Sequence, residues 1–294
     1  MQPRSARRPV FLAFTSAALL FALSLPAAAH DPLDEQIAEF SIRIRQDPGN
    51  AVLYLRRGEL YGDLGETQAA LEDFDRAARL APRLMSIDLA RGKTLLGVGR
   101  LAEAGTALER FLSRQPDHPN ALVARARVWA GLNQYRAAAN DYGRAIELEA
   151  RLRQPNPDHY LERAHIVASL GSQHRVEALA GLDEGICALG PLASLQVYAI
   201  ELELGLKRYQ AALNRLDSLL AQSARKDSWL ARRGEILEQA GRLAEAQQAY
   251  TQALAAVESL PVRHQKTRAT LELEARVASA LARLQGREKM KKIP

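Results

Sequence analysis

The sequence lacks the residues and motifs that identify most enzymes and metalloproteins. It contains one cysteine among 294 residues, Cys187, so no disulfide can form within the chain and its stability has to come from helix packing. No glycine-rich phosphate loop follows a strand pattern, no nucleophile elbow is present and no pair of carboxylates stands out. We therefore expect no enzyme, no cofactor and no metal site, and we expect Cys187 to be a small buried residue.

The chain also lacks a folded body with a large charge of one sign. Its formal net charge of +6 comes from the two ends, since residues 1–29 and residues 286–294 each contribute three positive charges. Residues 30–285 are therefore close to neutral, whereas a nucleic-acid-binding protein carries a basic surface. We expect no nucleic-acid partner, and we predict a disordered basic tail at 286–294.

The N-terminal residues have the pattern of a secretory signal peptide. Three arginines precede an apolar run from Val10 to Leu25, and three alanines then offer a cleavage site after Ala29. An uncleaved membrane anchor is the alternative, but the run is shorter than the ~20 residues that a spanning helix needs. We expect a periplasmic or secreted protein with no stable membrane anchor after cleavage.

A 34-residue period runs through the rest of the chain. Small, aromatic and proline residues return at the same places in each period, which is typical of a solenoid built from two-helix units. The first period contains Gly58, Gly65, Ala70, Phe74, Ala77 and Pro82. The second contains Gly92, Gly99, Ala104, Leu108, Phe111 and Pro116, and the third contains Ala126, Asn133, Ala138, Tyr142, Ala145 and Ala150.

This pattern resembles the tetratricopeptide repeat. Numbered from Ala51, positions 4, 8, 11, 15, 20, 24, 27 and 32 of the family signature are Tyr54, Gly58, Tyr61, Gly65, Ala70, Phe74, Ala77 and Pro82. The resemblance implies an all-α, right-handed solenoid of about six helix-turn-helix repeats. We predict repeats near 51–84, 85–118, 119–152, 157–192, 193–226 and 227–260, preceded by a lone helix in 30–50 and followed by a capping helix at 261–285. Pro155 and Pro157 interrupt the period, so we predict a hinge or an exposed loop at 151–158.

Elementary chemistry gives the signature residues definite roles. Gly58 and Ala70 are expected where the two helices of a hairpin, A and B, cross closely, and Phe74 fills the space beside them. Gly65 is expected in the left-handed conformation that lets the chain reverse. Pro82 ends helix B because it cannot continue the hydrogen-bond ladder.

The family resemblance also implies a binding surface. In tetratricopeptide proteins, helix A positions 2, 5, 9 and 12 line a concave groove, and here position 5 is apolar while position 9 is mostly charged. Such a groove suits an extended peptide or a helix, and the alternative is an ordinary solvated helix face. Lys93, Asn120 and Arg127 match part of the carboxylate clamp of Hsp70/Hsp90 co-chaperones, but Glu59 departs from it, so we do not assign that clamp. The candidate groove residues are Leu55, Glu59, Leu89, Lys93, Asn120, Val123, Arg127, Leu161, His165, Val197, Glu201, Glu235 and Glu238.

Arginine recurs at position 7 of most repeats. An anion-binding ladder is one interpretation, but we favour a structural role in which each arginine caps a carbonyl or pairs with a neighbouring acid. These arginines are Arg57, Arg91, Arg125, Arg163 and Arg233.

The sequence favours a protein- or peptide-binding scaffold or adaptor of the bacterial cell envelope. An accessory or regulatory subunit of an envelope enzyme, bound through the irregular repeats four and five, is a second hypothesis. A small-ligand or metal carrier that uses His30 or the histidines of repeat four is a third. The metal site in repeat four is weakly supported, because His159 and His165 are six residues apart, which is about 240° around a helix, and so do not share a face.

Overall fold

We analysed a computed structural model, which describes the backbone of residues 32–291 and the side chains through Gly286. The signal peptide predicted at 1–29, its cleavage after Ala29 and His30 lie outside these residues. The predicted all-α solenoid is confirmed, since the described residues form fifteen α-helices and one 3-10 turn without a strand. The helices are α1 (Pro32–Gln46), α2 (Ala51–Asp63), α3 (Thr67–Leu80), α4 (Ser86–Gly97), α5 (Leu101–Leu112), α6 (Pro119–Gly131), α7 (Tyr135–Arg151), α8 (Pro157–Ser169), α9 (Arg175–Leu189), α10 (Ala193–Gly205), α11 (Tyr209–Gln222), α12 (Asp227–Gln239), α13 (Leu243–Glu258), α14 (Val262–Gln265) and α15 (Arg268–Lys291).

Six helix pairs follow α1, and each pair is one A–B hairpin. The A helices are α2, α4, α6, α8, α10 and α12, and each begins within one residue of the corresponding predicted repeat. Side chains cap three of them: Asn50 accepts a hydrogen bond from the backbone N–H of Val52, and His118 and Asn156 act likewise on α6 and α8. Local sequence signals therefore set where these A helices start.

The reversal between helices A and B uses one left-handed residue. Gly65 has φ = 81°, and the residues at the same position of every repeat but the fourth have similar angles even where glycine is replaced, with Asn133 at 60° and Lys207 at 58°. The left-handed turn predicted for Gly65 is therefore confirmed. Glycine adopts this conformation without strain, while asparagine tolerates it better than most residues do.

The two helices of a hairpin cross at a small residue. A Cβ atom added to Gly58 would lie 2.7 Å from Cε1 of Phe74 and 3.1 Å from the carbonyl oxygen of Ala70. Ala70 and Phe74 are fully buried, as predicted for the crossing point. The same crowding occurs at Gly92, whose added Cβ would lie 2.6 Å from Cγ of Leu108.

Neighbouring A helices lie closer together than neighbouring B helices. Among the described residues, α2 packs on α4, α4 on α6 and α8 on α10, while no pair of successive B helices packs to the same extent. The more closely spaced layer of a curved stack lies inside the curve, so the A helices form the concave side. Each B helix packs instead between its own A helix and the next one.

Three features differ from the sequence-based expectations. Cys187 is exposed on α9, because Leu182 and Gly185 form the buried face of that helix and Cys187 points away from it. The C-terminal helix begins at Arg268, after the short α14, rather than at 261. Its backbone stays helical to Lys291, so the part of the predicted disordered tail at 286–291 is helix.

The loop at 151–158 is exposed, but side chains of the helices α7 and α8 that flank it contact each other. Arg151 to Gln154 are exposed and Arg153 has φ = 57°. Across the loop, Nδ1 of His159 lies 2.9 Å from Oε1 of Glu149, and both side chains are buried. The loop interrupts the period without separating α7 from α8, which pack on each other.

Candidate binding groove

The predicted groove residues lie on the A helices at different depths. Lys93, Asn120, Arg127, His165 and Glu201 are exposed, and Val197 is 38% exposed. The side chains of Glu59, Leu89, Leu161, Glu235 and Glu238 are partly buried. These residues give the groove a polar surface with a few apolar positions between the charges.

Two of the predicted apolar anchors are not accessible to a ligand. Leu55 and Val123 are each 4% exposed. Leu55 packs in the core cluster that contains Phe74, and Val123 packs in the cluster that contains Tyr142. Position 5 lies in the seam between layers in these repeats, so expecting a surface anchor at Leu55 and Val123 was wrong.

From repeat three onwards, the side chain at position 9 contacts position 6 of the following repeat. Arg127 donates two hydrogen bonds to Glu162, at 2.8 and 3.1 Å, and the hydroxyl of Tyr142 donates to the same carboxylate. Burial alone would raise the pKa of Glu162, but the hydrogen bonds from Arg127 and Tyr142 outweigh it and leave the pKa lowered. Glu162 is therefore ionised at neutral pH and holds repeat three against repeat four.

Positions 9 and 6 also meet between the later repeats, through an aromatic stack and through a second ion pair. The ring of His165 stacks on Tyr198 at 3.8 Å between centroids, and burial lowers the pKa of His165. Glu201 accepts a hydrogen bond from Arg232, which also donates to Glu235 at 2.9 Å. A network of side chains thus joins the A helices from repeat three to repeat six.

The capping helix α15 continues this network. Arg276 lies 3.5 Å from Glu235, and Arg283 lies 3.4 Å from Glu238. Glu238 also accepts a hydrogen bond of 3.1 Å from the hydroxyl of Tyr250. The acids at positions 9 and 12 of repeat six are therefore neutralised by helix α15.

An open cleft of about 660 Å³ lies between repeats one and two. Its walls come from the C-terminal halves of α2 and α4 and from the turns that follow them. Small residues make up much of the lining, and the charged residues are two acids and one base. The lining residues are Glu59, Gly62, Asp63, Leu64, Gly65, Ala90, Lys93, Thr94, Gly97 and Val98.

The arginines at position 7 pair with acids of helix B, which confirms the structural interpretation. Arg125 donates to both oxygens of Asp141 in its own repeat, and this hydrogen bonding raises the pKa of Arg125. Others reach back to the preceding helix B. The pairs are Arg57–Asp73 at 2.8 Å, Arg91–Asp75 at 2.5 Å, Arg125–Asp141 at 2.7 Å, Arg163–Glu184 at 3.3 Å and Arg233–Asp217.

The histidines of repeat four do not converge. His159 is buried against Glu149, His165 stacks on Tyr198, and His174 pairs with Glu177 at 2.9 Å. Within the described part of the chain, no group of three or more histidine, cysteine, aspartate or glutamate side chains could hold a metal ion.

The sequence reasoning missed the position-6 partners, namely Glu162, Tyr198 and Arg232. A signal for two of them was present, because Glu162 and Arg232 have the opposite charge to position 9 of the preceding repeat. The aromatic pair of His165 and Tyr198 carries no such charge signal.

Among residues 32–291, no helix combines the length and the apolar character needed to cross a membrane.

Comparison with protein families agrees with this geometry. A tetratricopeptide repeat model matches residues 89–158 and 199–261, and a second tetratricopeptide repeat model matches residues 51–84. Together these matches cover more than half of the chain. The chain belongs to the tetratricopeptide repeat family. The fourth repeat lies between the two matched segments, and its turn between helices A and B is lengthened by a 3-10 turn at Ser172–His174.

Individual relatives of this tetratricopeptide repeat protein match only in part. DnaJ homolog subfamily C member 3 of Rattus norvegicus is 33% identical over 84 residues, which are 29% of this chain and 17% of that protein. The chain therefore spans less than a fifth of the length of this curated relative.

Solved structures share the fold at low sequence identity. The type IV pilus biogenesis factor PilW has a TM-score of 0.53 and 21% identity, with 64% of this chain and 85% of that chain covered. YrrB, a TPR protein with an unusual peptide-binding site, has a TM-score of 0.51 and 19% identity, with 62% and 91% covered. At such identity these likenesses show the solenoid fold alone.

Proposed function

We propose that this protein is a scaffold or adaptor that binds a protein or peptide in its concave groove. The observation that carries the proposal is the open cleft on the A-helix face, where the exposed Lys93 and Asp63 lie beside the exposed apolar Val98. Such a face offers orienting charges beside an apolar position, which is the combination that peptide grooves use. Affinity would come from a few anchors within a wider complementary surface.

We further propose that the protein works in the bacterial cell envelope after export. The support is the sequence pattern of residues 1–29, with its basic start, apolar run and alanine cleavage site. PilW, a type IV pilus biogenesis factor, and YrrB, which has an unusual peptide-binding site, support this role by fold-level analogy. Function within the family depends on the groove residues rather than on the fold.

Site-directed crosslinking in the periplasm tests both parts of the proposal. The chain would be expressed with its own N-terminus and with a photoreactive residue replacing Thr94 or Val98, which line the part of the groove between repeats one and two. Thr106 and Ser218, which are exposed on B helices, provide matched control positions. We expect one reproducible protein partner from the groove positions and none from the controls. We also expect the intact mass of the exported protein to match a chain that begins at His30.

The outcomes separate the alternatives. A partner captured equally from groove and control positions would contradict groove binding. A protein that carries no partner but purifies with a stoichiometric metal or small ligand would contradict the scaffold role. A protein recovered only in the cytosol, with residues 1–29 still attached, would contradict export while leaving groove binding intact.

A further inference from the structure

Most groove charges from repeat three onwards are engaged inside the protein. Arg127 pairs with Glu162, Glu201 with Arg232, Glu235 with Arg232 and Arg276, and Glu238 with Arg283. A ligand that used one of these groups would first have to break an internal ion pair. These charges therefore hold neighbouring repeats together and contribute little net charge to the groove.

The ladder between positions 9 and 6 is interrupted in the first two repeats. The residue at position 6 that follows Glu59 is Ala90, and the one that follows Lys93 is Ala124. Neither alanine can pair with a charge. Glu59 pairs instead within its own helix, with Arg56 at 2.8 Å, while no carboxylate of the described residues pairs with the exposed Lys93.

Lys93 lies in the wall of the open cleft between repeats one and two. The cleft volume of about 660 Å³ is within the ~300–1,000 Å³ range of pockets that hold ligands. Small side chains line it, and a Cβ atom added to Gly97 would meet no atom within 4 Å. The cleft therefore has room for the backbone of an extended chain.

The cleft has two uncompensated charges of opposite sign. Glu59 is neutralised by Arg56, which leaves Lys93 on α4 and Asp63 at the end of α2, and both are exposed without an ion-pair partner among the described residues. The neighbouring His118 adds no positive charge at neutral pH, because burial and the nearby Lys93 lower its pKa. One isolated ammonium with a carboxylate beside it disfavours a polyanion such as a nucleic acid.

We propose that the cleft between repeats one and two is the ligand-binding part of the groove, and that it takes an extended peptide segment whose acidic side chain pairs with Lys93. A basic side chain of the same segment would meet Asp63. This inference rests on the proposed function and specifies the site and the chemistry of the partner. The ion-paired surface from repeat three to α15 then serves to keep the groove in shape.

A peptide selection followed by a charge swap tests this assignment. Full-length mature protein would be screened against a phage-displayed library of random peptides, and an enriched peptide would be synthesised for binding measurements. We expect enriched peptides to contain an acidic residue. We expect Lys93→Glu to weaken binding roughly tenfold or more, and replacement of the peptide acid by lysine to restore binding to that variant.

Lys207→Glu is the matched control, because Lys207 is also exposed but lies on the turn after α10, outside the cleft. It makes the same change in net charge, and we expect an affinity within twofold of the native protein. Both variants must keep the native melting temperature. Enriched peptides without an acidic residue, or binding that is equally weakened by the two variants, would overturn the Lys93 assignment and leave groove binding standing. Failure of the native protein to enrich any peptide would instead contradict the proposed function.

Discussion

The close approach of the two helices in a hairpin depends on single residues that lack a side chain. At Gly58 an added Cβ would overlap the ring of Phe74, which is itself fully buried and has no room to retreat. Interior packing is dense enough that one extra methyl group in such a place forces the helices apart.

Gly58→Ala should therefore destabilise the protein by about 1–3 kcal/mol. Gly181→Ala is the matched control, since Gly181 is also helical but an added Cβ there would meet no atom within 4 Å. Alanine favours helix over glycine by roughly 1 kcal/mol, so the control should be neutral or stabilising. Urea denaturation of both variants checks this, and equal effects would argue against close crossing at Gly58.

The carboxylate of Glu162 should make stability depend on acid pH. Its folded pKa is lowered relative to the unfolded chain, so it adds stability above the unfolded pKa of ~4.3 and loses it as pH falls through the folded value. The stability difference between the native protein and Glu162→Gln should be constant near pH 7 and shrink below about pH 4. A difference that stays the same down to pH 3 would contradict a lowered pKa.

Sequence reasoning succeeded for residues whose role is set by the backbone. Gly58 at the crossing and Gly65 in the left-handed turn follow from local geometry, which most of the repeats share. It failed for Leu55, Val123 and Cys187, because burial there depends on how far the helix is rotated against its neighbours. That rotation depends on the packing of the neighbouring helices, so the residue type at a single position does not predict it.

The irregular fifth repeat keeps an ion pair between its helices A and B, but at different positions from those of the other repeats. Repeats one and three pair an arginine of helix A with an aspartate at position 23 of helix B. In repeat five the arginine is at position 23, as Arg215, and its partners are Glu203 at 2.8 Å and Asp183 at 2.6 Å. Glu203 is only 3% exposed, and one of its oxygens has no hydrogen-bond partner among the described residues.

Arg215→Met should destabilise the protein by roughly 3–5 kcal/mol, because it leaves the buried carboxylate of Glu203 without its cation. The double variant Arg215→Met/Glu203→Leu should recover a large part of this loss, since both buried charges are then removed. A double-mutant cycle by chemical denaturation measures the coupling. Additive effects would mean that Arg215 and Glu203 do not stabilise the repeat as a pair.

The relocated pair also explains why repeat five looked degenerate in sequence. Position 7 is Ala199 and position 11 is Glu203, so the family pattern is lost at both places. The two helices of repeat five nevertheless pack on each other, because charge compensation and apolar burial at Leu195, Leu213 and Leu216 are retained. A pattern based on residue identity cannot detect an ion pair in which the arginine has moved to helix B and the acid to helix A.

The stacking of the six helix pairs follows from the 34-residue period. Helix pairs of this length cannot bury their apolar faces singly, so stacking is imposed on any chain with the period. The identity of the ligand-binding segment does not follow from the period. In our proposal it depends on which position-9 charges meet a partner at position 6. Opposite charge in the sequence indicates the partners of Arg127 and Glu201, whereas the stacking of His165 on Tyr198 follows only from the packing of neighbouring repeats.

A stack of repeats is stabilised mainly by contacts between neighbours, so damage at one end should remain local. Val277 on α15 is 2% exposed and packs in the cluster that contains Tyr250 and Val257 of α13. Val277→Asp would bury a charge, and we expect amide hydrogen exchange to accelerate in α12 to α15.

Protection in α2 and α3 should stay at the native level, because α15 packs on α12, α13 and α14 at the other end of the stack. Ala278→Asp, on the exposed side of the same helix, is the control and should leave exchange unchanged throughout. Loss of protection in all repeats after Val277→Asp would mean that the solenoid unfolds as a single unit. Loss confined to the C-terminal repeats would leave the cleft at Lys93 able to bind, since its walls are formed by repeats one and two alone.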